Sequence, residues 1–169
     1  MGRILRRLTT KLFARFPSLT DRWLAKHPVE RVRDVPWTPF DVPLEEARLG
    51  LLTSGGVHLD DQLPFDTRDA DGDPGWRILP VDTPDERLVI SHETYDTTAA
   101  LLDHDVVYPL RRARELVAAG RLGSLCDEHV GMMGHIQGRH LEPLVERSAP
   151  AIAQHFVAQR ADLVLLVPA

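Results

Sequence analysis

Six consecutive residues, Ser91-His92-Glu93-Thr94-Tyr95-Asp96, gather an imidazole, two carboxylates and a phenol directly behind a short apolar run. An imidazole titrates near neutrality, so His92 suits acid or base work, and Asp96 is placed to orient it through the second ring nitrogen. The same residue types also cap turns, a purely structural use. A second group, Ser54-Gly55-Gly56-Val57-His58, follows the apolar stretch ARLGLLT. Its glycines allow backbone N–H groups to approach a carboxylate or phosphate, and equally allow a tight turn out of a sheet. It lacks the lysine of a P-loop and the spacing of GxGxxG, so neither ATP nor NAD is expected and no cofactor is assigned. His92 and Asp96 are therefore the candidate catalytic residues. Ser54, Gly55, Gly56, His58 and His135 are the candidate ligand-binding residues. His58, His92, Asp96 and His135 are all metal-ligand types, yet no HExxH or other paired helix spacing joins them, and no metal is expected. Cys126 stands beside Asp127 and Glu128, three residues before His129, a setting that favours buried packing over thiolate chemistry.

These residues need elements to hold them. Residues 47–53 have the length and apolar content of a buried strand, residues 76–79 and 87–91 read as two further strands, and an acidic, exposed loop is expected from His58 to about Gly75. Pro109 and Gly120 bracket LRRARELVAA, which predicts a helix with Leu110, Ala113, Leu116 and Val117 inward. Helical spacing resumes from Leu141 to about Arg160, with a restart where Ser148 is placed to cap and Pro150 begins a turn. Gly131-Met132-Met133-Gly134-His135 suits a pocket wall or a turn, and residues 162–167 (DLVLLV) read as a strand covered on both faces. Strands alternating with helices give an α/β domain, a mostly parallel sheet flanked by helices. Ligands bind such sheets beyond the carboxyl ends of the strands, which brings together the loops after residues 53, 90, 129–135 and 167.

The chain has 169 residues with 43% hydrophobic and 27% charged, enough for one ordinary domain. Its net charge of −5 argues against a nucleic-acid partner. Residues 1–33 nonetheless hold nine basic and two acidic side chains, a local +7 that leaves −12 for the rest. Ile4, Leu5, Leu8, Leu12, Phe13 and Phe16 recur at helical spacing among these basic residues, which predicts an N-terminal amphipathic helical arm. That arm packs on the domain or on a second subunit, or touches a membrane surface through residues 3–16. A proline-bearing connector over 34–45 separates the arm, 1–33, from the domain, 34–169. A single cysteine fits a reducing cytoplasm, and no apolar run is long enough to span a bilayer.

Taken together, residues 53–66 (TSGGVHLDDQLPFD), 90–125 (ISHETYDTTAALLDHDVVYPLRRARELVAAGRLGSL) and the closing ADLVLLVPA resemble the selenoprotein B family of glycine, sarcosine, betaine and D-proline reductases, in the same order. The resemblance covers roughly residues 36–169. It implies an α/β subunit of a reductive-cleavage enzyme in which a selenocysteine or cysteine attacks the substrate and is then reduced by thiols. In that family the reactive atom lies just beyond a strand similar to Leu163–Pro168, so a chain read only to Ala169 is expected to lack it. Cys126 falls outside that motif. Gly55, Gly56, His58, His92 and Asp96 carry over as pocket residues for a small amino-acid-like or anionic ligand. A homo-oligomer or a partner subunit is implied to cover the last strand. The competing reading is a non-catalytic assembly or ligand-binding partner that docks through its basic arm.

Overall fold

The computed structural model describes Leu12, residues 15–26 and residues 38–169. The chain divides into two compact units, Met1–Asp41 with Glu93–Asp96, and Val42–His92 with Thr97–Ala169. In the first, helix α1 spans Pro17–Lys26, opening on a proline whose missing N–H is not needed in a first turn. Most of the basic stripe expected over residues 3–16, and residues 34–37 of the expected connector, lie outside the described residues. Among the described residues no helix is long and apolar enough to cross a membrane.

The second unit is built on β1 (Arg48–Thr53). Outside the main sheet, β2 (Val57–Leu59) and β4 (Leu88–Ile90) form an antiparallel ribbon, with Val57 opposite Ile90. The strand expected at residues 87–91 thus exists but does not join the main sheet. In that sheet β3 (Trp76–Pro80) runs antiparallel to β6 (Glu128–Met132), and β5 (Ser124–Leu125) and β6 both run parallel to β1. On its other side β1 pairs with β7 (Leu163–Val167), Leu49 opposite Leu163 through Thr53 opposite Val167. The order is therefore β7, β1, β5 continued by β6, then β3: three parallel lines and one antiparallel edge.

The residues between β5 and β6 explain why a run so poor in apolar residues is a strand at all. Cys126 N–H still reaches Leu49 O (2.9 Å), but the chain then bulges, and Leu51 N–H finds the Nδ1 of His129 (3.1 Å) in place of a carbonyl. A buried N–H without a partner costs about 1–3 kcal/mol, so the histidine side chain completes the ladder. His129 is 0% exposed, and its pKa falls to about 4, chiefly through burial and further through the charges of Arg114 and Arg48. By its composition alone this segment is expected only to pack a thiol and turn.

Helices follow from the same local rules. α2 (Thr98–Leu102) runs into a 3-10 turn at His104–Val106, and α3 (Leu110–Ala118) comes next. α3 ends as its glycine requires: Gly120, φ 66°, donates to Val117 O and Arg121 donates to Leu116 O. α4 (Leu141–Pro143) passes through a π turn (Leu144–Ser148) into α5 (Ala149–Ala158). The widening has a cause, since Pro150 has no N–H to return to Glu146. Ser148 does not cap α5; its hydroxyl donates to Pro74 O (2.6 Å) instead.

α5 lies on one face of the sheet. A Cβ on Gly50 would stand 2.6 Å from two Phe156 ring atoms, so the ring occupies the place of a side chain on β1. Phe156, Ile152, Cys126 and Val130 form a core, joined by Leu52, Trp76 and Val164. Burying Phe156 and Ile152 contributes roughly 1.5–3 kcal/mol each. Strand alternation turns Leu49, Leu51 and Thr53 to the opposite face, where Tyr108 meets His129 edge-on at 6.1 Å. There the β2–β4 ribbon crosses so closely that a Cβ on Gly131 would stand 2.0 Å from Val57 O.

Two expectations about exposure change. The acidic loop is pinned and half-buried: Asp69 is held by His140 and Arg139, Asp71 by Arg139, and Asp73 by Arg77. The final strand is less covered than its composition implied. Among the described residues β7 pairs with β1 alone, and Leu165 and Leu166, on opposite faces, are 45% and 65% exposed.

Candidate functional site

The carboxyl ends of β1, β6 and β7 form one rim, and the end of β4 reaches it from the ribbon. Ser54 N–H donates to Val167 O (3.0 Å), and Ala169 N–H donates to Ser54 Oγ (3.1 Å), tying β1 to β7. Gly56 N–H donates to Met132 O and Ser91 N–H to Gly56 O, both at 2.9 Å, tying β1 to β6 and β4. Gly56 has φ 73°, and a Cβ there would stand 2.4 Å from Ser91 O, so only glycine fits. Gly134 N–H donates to His92 Nε2 (3.3 Å), closing the circuit between β6 and β4.

That circuit corrects one expectation. The N–H groups of Ser54, Gly55 and Gly56 go to Val167 O, Thr53 Oγ1 and Met132 O, so the glycine turn presents no backbone cradle to an anion. It joins strands instead. Ser54 accepts from Ala169 N–H and still carries its hydroxyl proton at the rim.

His92 is a buried, neutral imidazole. Burial first, and His135 second, pull its pKa down to about 4. Because Nε2 accepts from Gly134, its proton sits on Nδ1. Asp96 lies, with the rest of Glu93–Asp96, in the unit that contains Met1–Asp41. His58 is 2% exposed and uses both nitrogens: Nδ1–H donates to Leu59 O (2.7 Å), which leaves Nε2 to accept from the Ser91 hydroxyl (2.8 Å). Its ring edge meets Phe65 at 5.9 Å, and Arg77 covers the Phe65 ring at 4.4 Å. His135 Nε2–H donates to Ala70 O (3.1 Å), joining the segment after β6 to the acidic loop and leaving Nδ1 as an acceptor.

Ser91, Gly134 and Ala169 thus belong to the rim beside the residues singled out in the sequence. Ser91 was legible as the first polar residue after an apolar strand. Gly134 carries no such signal, because its role is a backbone N–H. Cys126 is fully buried in the core, and burial pushes its thiol pKa up against the opposing pull of Arg48. Among the described residues no group of three or more His, Cys, Asp or Glu side chains is arranged to hold a metal ion.

Over 130 residues, 77% of its length, the chain is 28% identical to the D-proline reductase subunit gamma of Acetoanaerobium sticklandii. It is a distant relative of that reductase subunit. The matched region spans 52% of the relative, so the chain corresponds to about half of it. No family model and no solved structure matches.

Proposed function

We propose that this chain is a reductase-associated subunit of the selenoprotein B type, and that it binds a small amino-acid-like or anionic molecule at the rim. The observation that carries the reading is the convergence of Ser54, Gly56, His92, Gly134 and Ala169 through direct hydrogen bonds. These residues come from the separate sequence blocks that resemble the reductases or flank them. The chemistry of the rim fits such a ligand: the Ser54 hydroxyl suits a carboxylate oxygen, and His135 Nδ1 suits an ammonium group. Gly55 and Gly56 set the course of the turn, and His58 acts through Ser91 as a positioning residue. In this reading His92 and Asp96 serve proton transfer once a ligand is bound. The half-open β7 favours a partner subunit as its cover.

The test pairs binding with turnover. Titration calorimetry with D-proline, glycine and betaine is run on the full chain, and reduction of each with a dithiol is assayed alone and with co-purifying subunits. Binding of at least one compound, weakened about tenfold or more by Ser54→Ala, is expected. His92→Ala and Asp96→Ala are expected to reduce turnover in the assembled complex. No binding of any of the three, with no turnover in either setting, refutes the proposal and leaves the assembly-partner reading.

A further inference from the structure

The basic stripe of residues 3–16 has no role in the proposed function. It carries Arg3, Arg6, Arg7, Lys11 and Arg15 with no acidic residue, interleaved with Leu5, Leu8, Leu12 and other apolar residues. Within it, Leu12 and Phe16 are each about half-exposed. The α/β unit offers a surface of matching chemistry. A cavity of about 430 Å³ opens between the 3-10 turn Asp85–Arg87 and the corner where α2 meets His104–Val106, and Asp85, Glu86, Leu102, Asp103 and His104 line it. Arg111, also in the lining, is spent on Asp103 and Asp105, each at 3.0 Å, whereas Asp85 and Glu86 form no ion pair among the described residues. The groove therefore keeps net negative charge. Leu102 is 86% exposed, and neighbouring Leu101 and Val106 are both more than half-exposed. Leucines standing open beside unpaired carboxylates make a surface that neither water nor an acidic partner suits, and a basic amphipathic segment satisfies both halves of it.

We propose that two copies of this chain associate by exchanging these segments, residues 3–16 of each seating on the acidic, leucine-rimmed groove of the other. As a helix the segment would be about 21 Å long. Exchange uses two such contacts at once, which moves the buried area toward the roughly 1,600 Å² of a standard stable interface. The same arrangement makes association sensitive to salt, because its charges lie at the surface.

The full-length chain is examined by sedimentation and light scattering at low and high salt. A dimer that weakens with salt is expected. Asp85→Lys with Glu86→Lys should weaken it by about tenfold or more, Arg6→Glu with Arg7→Glu should do the same, and the four together should restore it. All four positions are exposed or lie outside the α/β unit, and circular dichroism checks that each variant folds. A monomeric wild type, an unchanged dimer in the groove variant, or failure of the combined variant to recover overturns the proposal. So does binding of the full chain to phosphatidylserine vesicles that the groove variant leaves intact while no dimer forms, which would make the segment a lipid anchor.

Discussion

Acidification should unfold this protein through two interior imidazoles. His92 and His129 are both held neutral, with pKa values of about 4 against an ordinary 6.5. Between those values the unfolded chain binds more protons than the folded one, so falling pH favours unfolding. The stabilisation is complete above pH 6.5 and is progressively lost as pH falls towards 4. A depression of that size is worth about 3 kcal/mol per imidazole, of which about 2 is gone by pH 5. Two such groups remove about 4 kcal/mol by pH 5, a large share of the roughly 5–15 kcal/mol by which a domain is stable. Urea unfolding followed by circular dichroism at pH 8, 7, 6 and 5 measures this directly. His92→Gln and His129→Gln should each flatten the pH dependence by about half while lowering stability at pH 8, because Gly134 N–H and Leu51 N–H lose their acceptor geometry. A wild type equally stable at pH 8 and pH 5, or a double variant with an unaltered slope, refutes the assignment of buried neutral imidazoles. Asp69, whose carboxyl is held below its usual range first by its hydrogen bond to His140, loses its share only at lower pH and does not confuse this window.

Two backbone substitutions test the packing. Gly131→Ala places a methyl against the main-chain oxygen of Val57 and should cost more than about 3 kcal/mol, whereas Gly50→Ala meets only the Phe156 ring and should cost about 1–3 kcal/mol; equal losses in thermal denaturation would contradict the ribbon crossing. Arg160 follows α5 with φ 55°, and Arg160→Gly should raise stability by about 0.5–1 kcal/mol in urea titration, a loss being the contrary result.

How much of this was visible in the sequence depended on whether a segment's role was written in its side chains. β1, α3 and β7 were, through an apolar run, a proline-first and glycine-last frame, and a second apolar run. β6 was not: Glu-His-Val-Gly-Met looks nothing like a strand until His129 is seen replacing a carbonyl and Gly131 is seen yielding space to Val57. The rim was legible in outline because strand ends in such sheets converge, but the direction of its hydrogen bonds was not. Glycines that appeared ready to cradle an anion had already given their N–H groups, Gly55 to the Thr53 hydroxyl and Gly56 to Met132 O. His58 stood out by residue type, yet its partners, Leu59 O and Ser91 Oγ, are defined only by the ribbon that folds β2 against β4. The acidic loop misled for a related reason, since the cations that hold it lie some 70 residues along the chain.

The crossing of the acidic loop with the segment after β6 has a mechanical consequence. A Cβ at Gly72 would stand 1.7 Å from His135 O, and one at Gly138 would stand 2.7 Å from the Asp71 carboxylate. Two stretches so tightly interlocked travel together, so His135 cannot swing toward an arriving molecule unless residues 69–73 swing with it. A fluorophore attached at exposed position 68 would then serve as a gauge of occupancy at the strand ends, reporting a docking event through the movement of the loop that carries it.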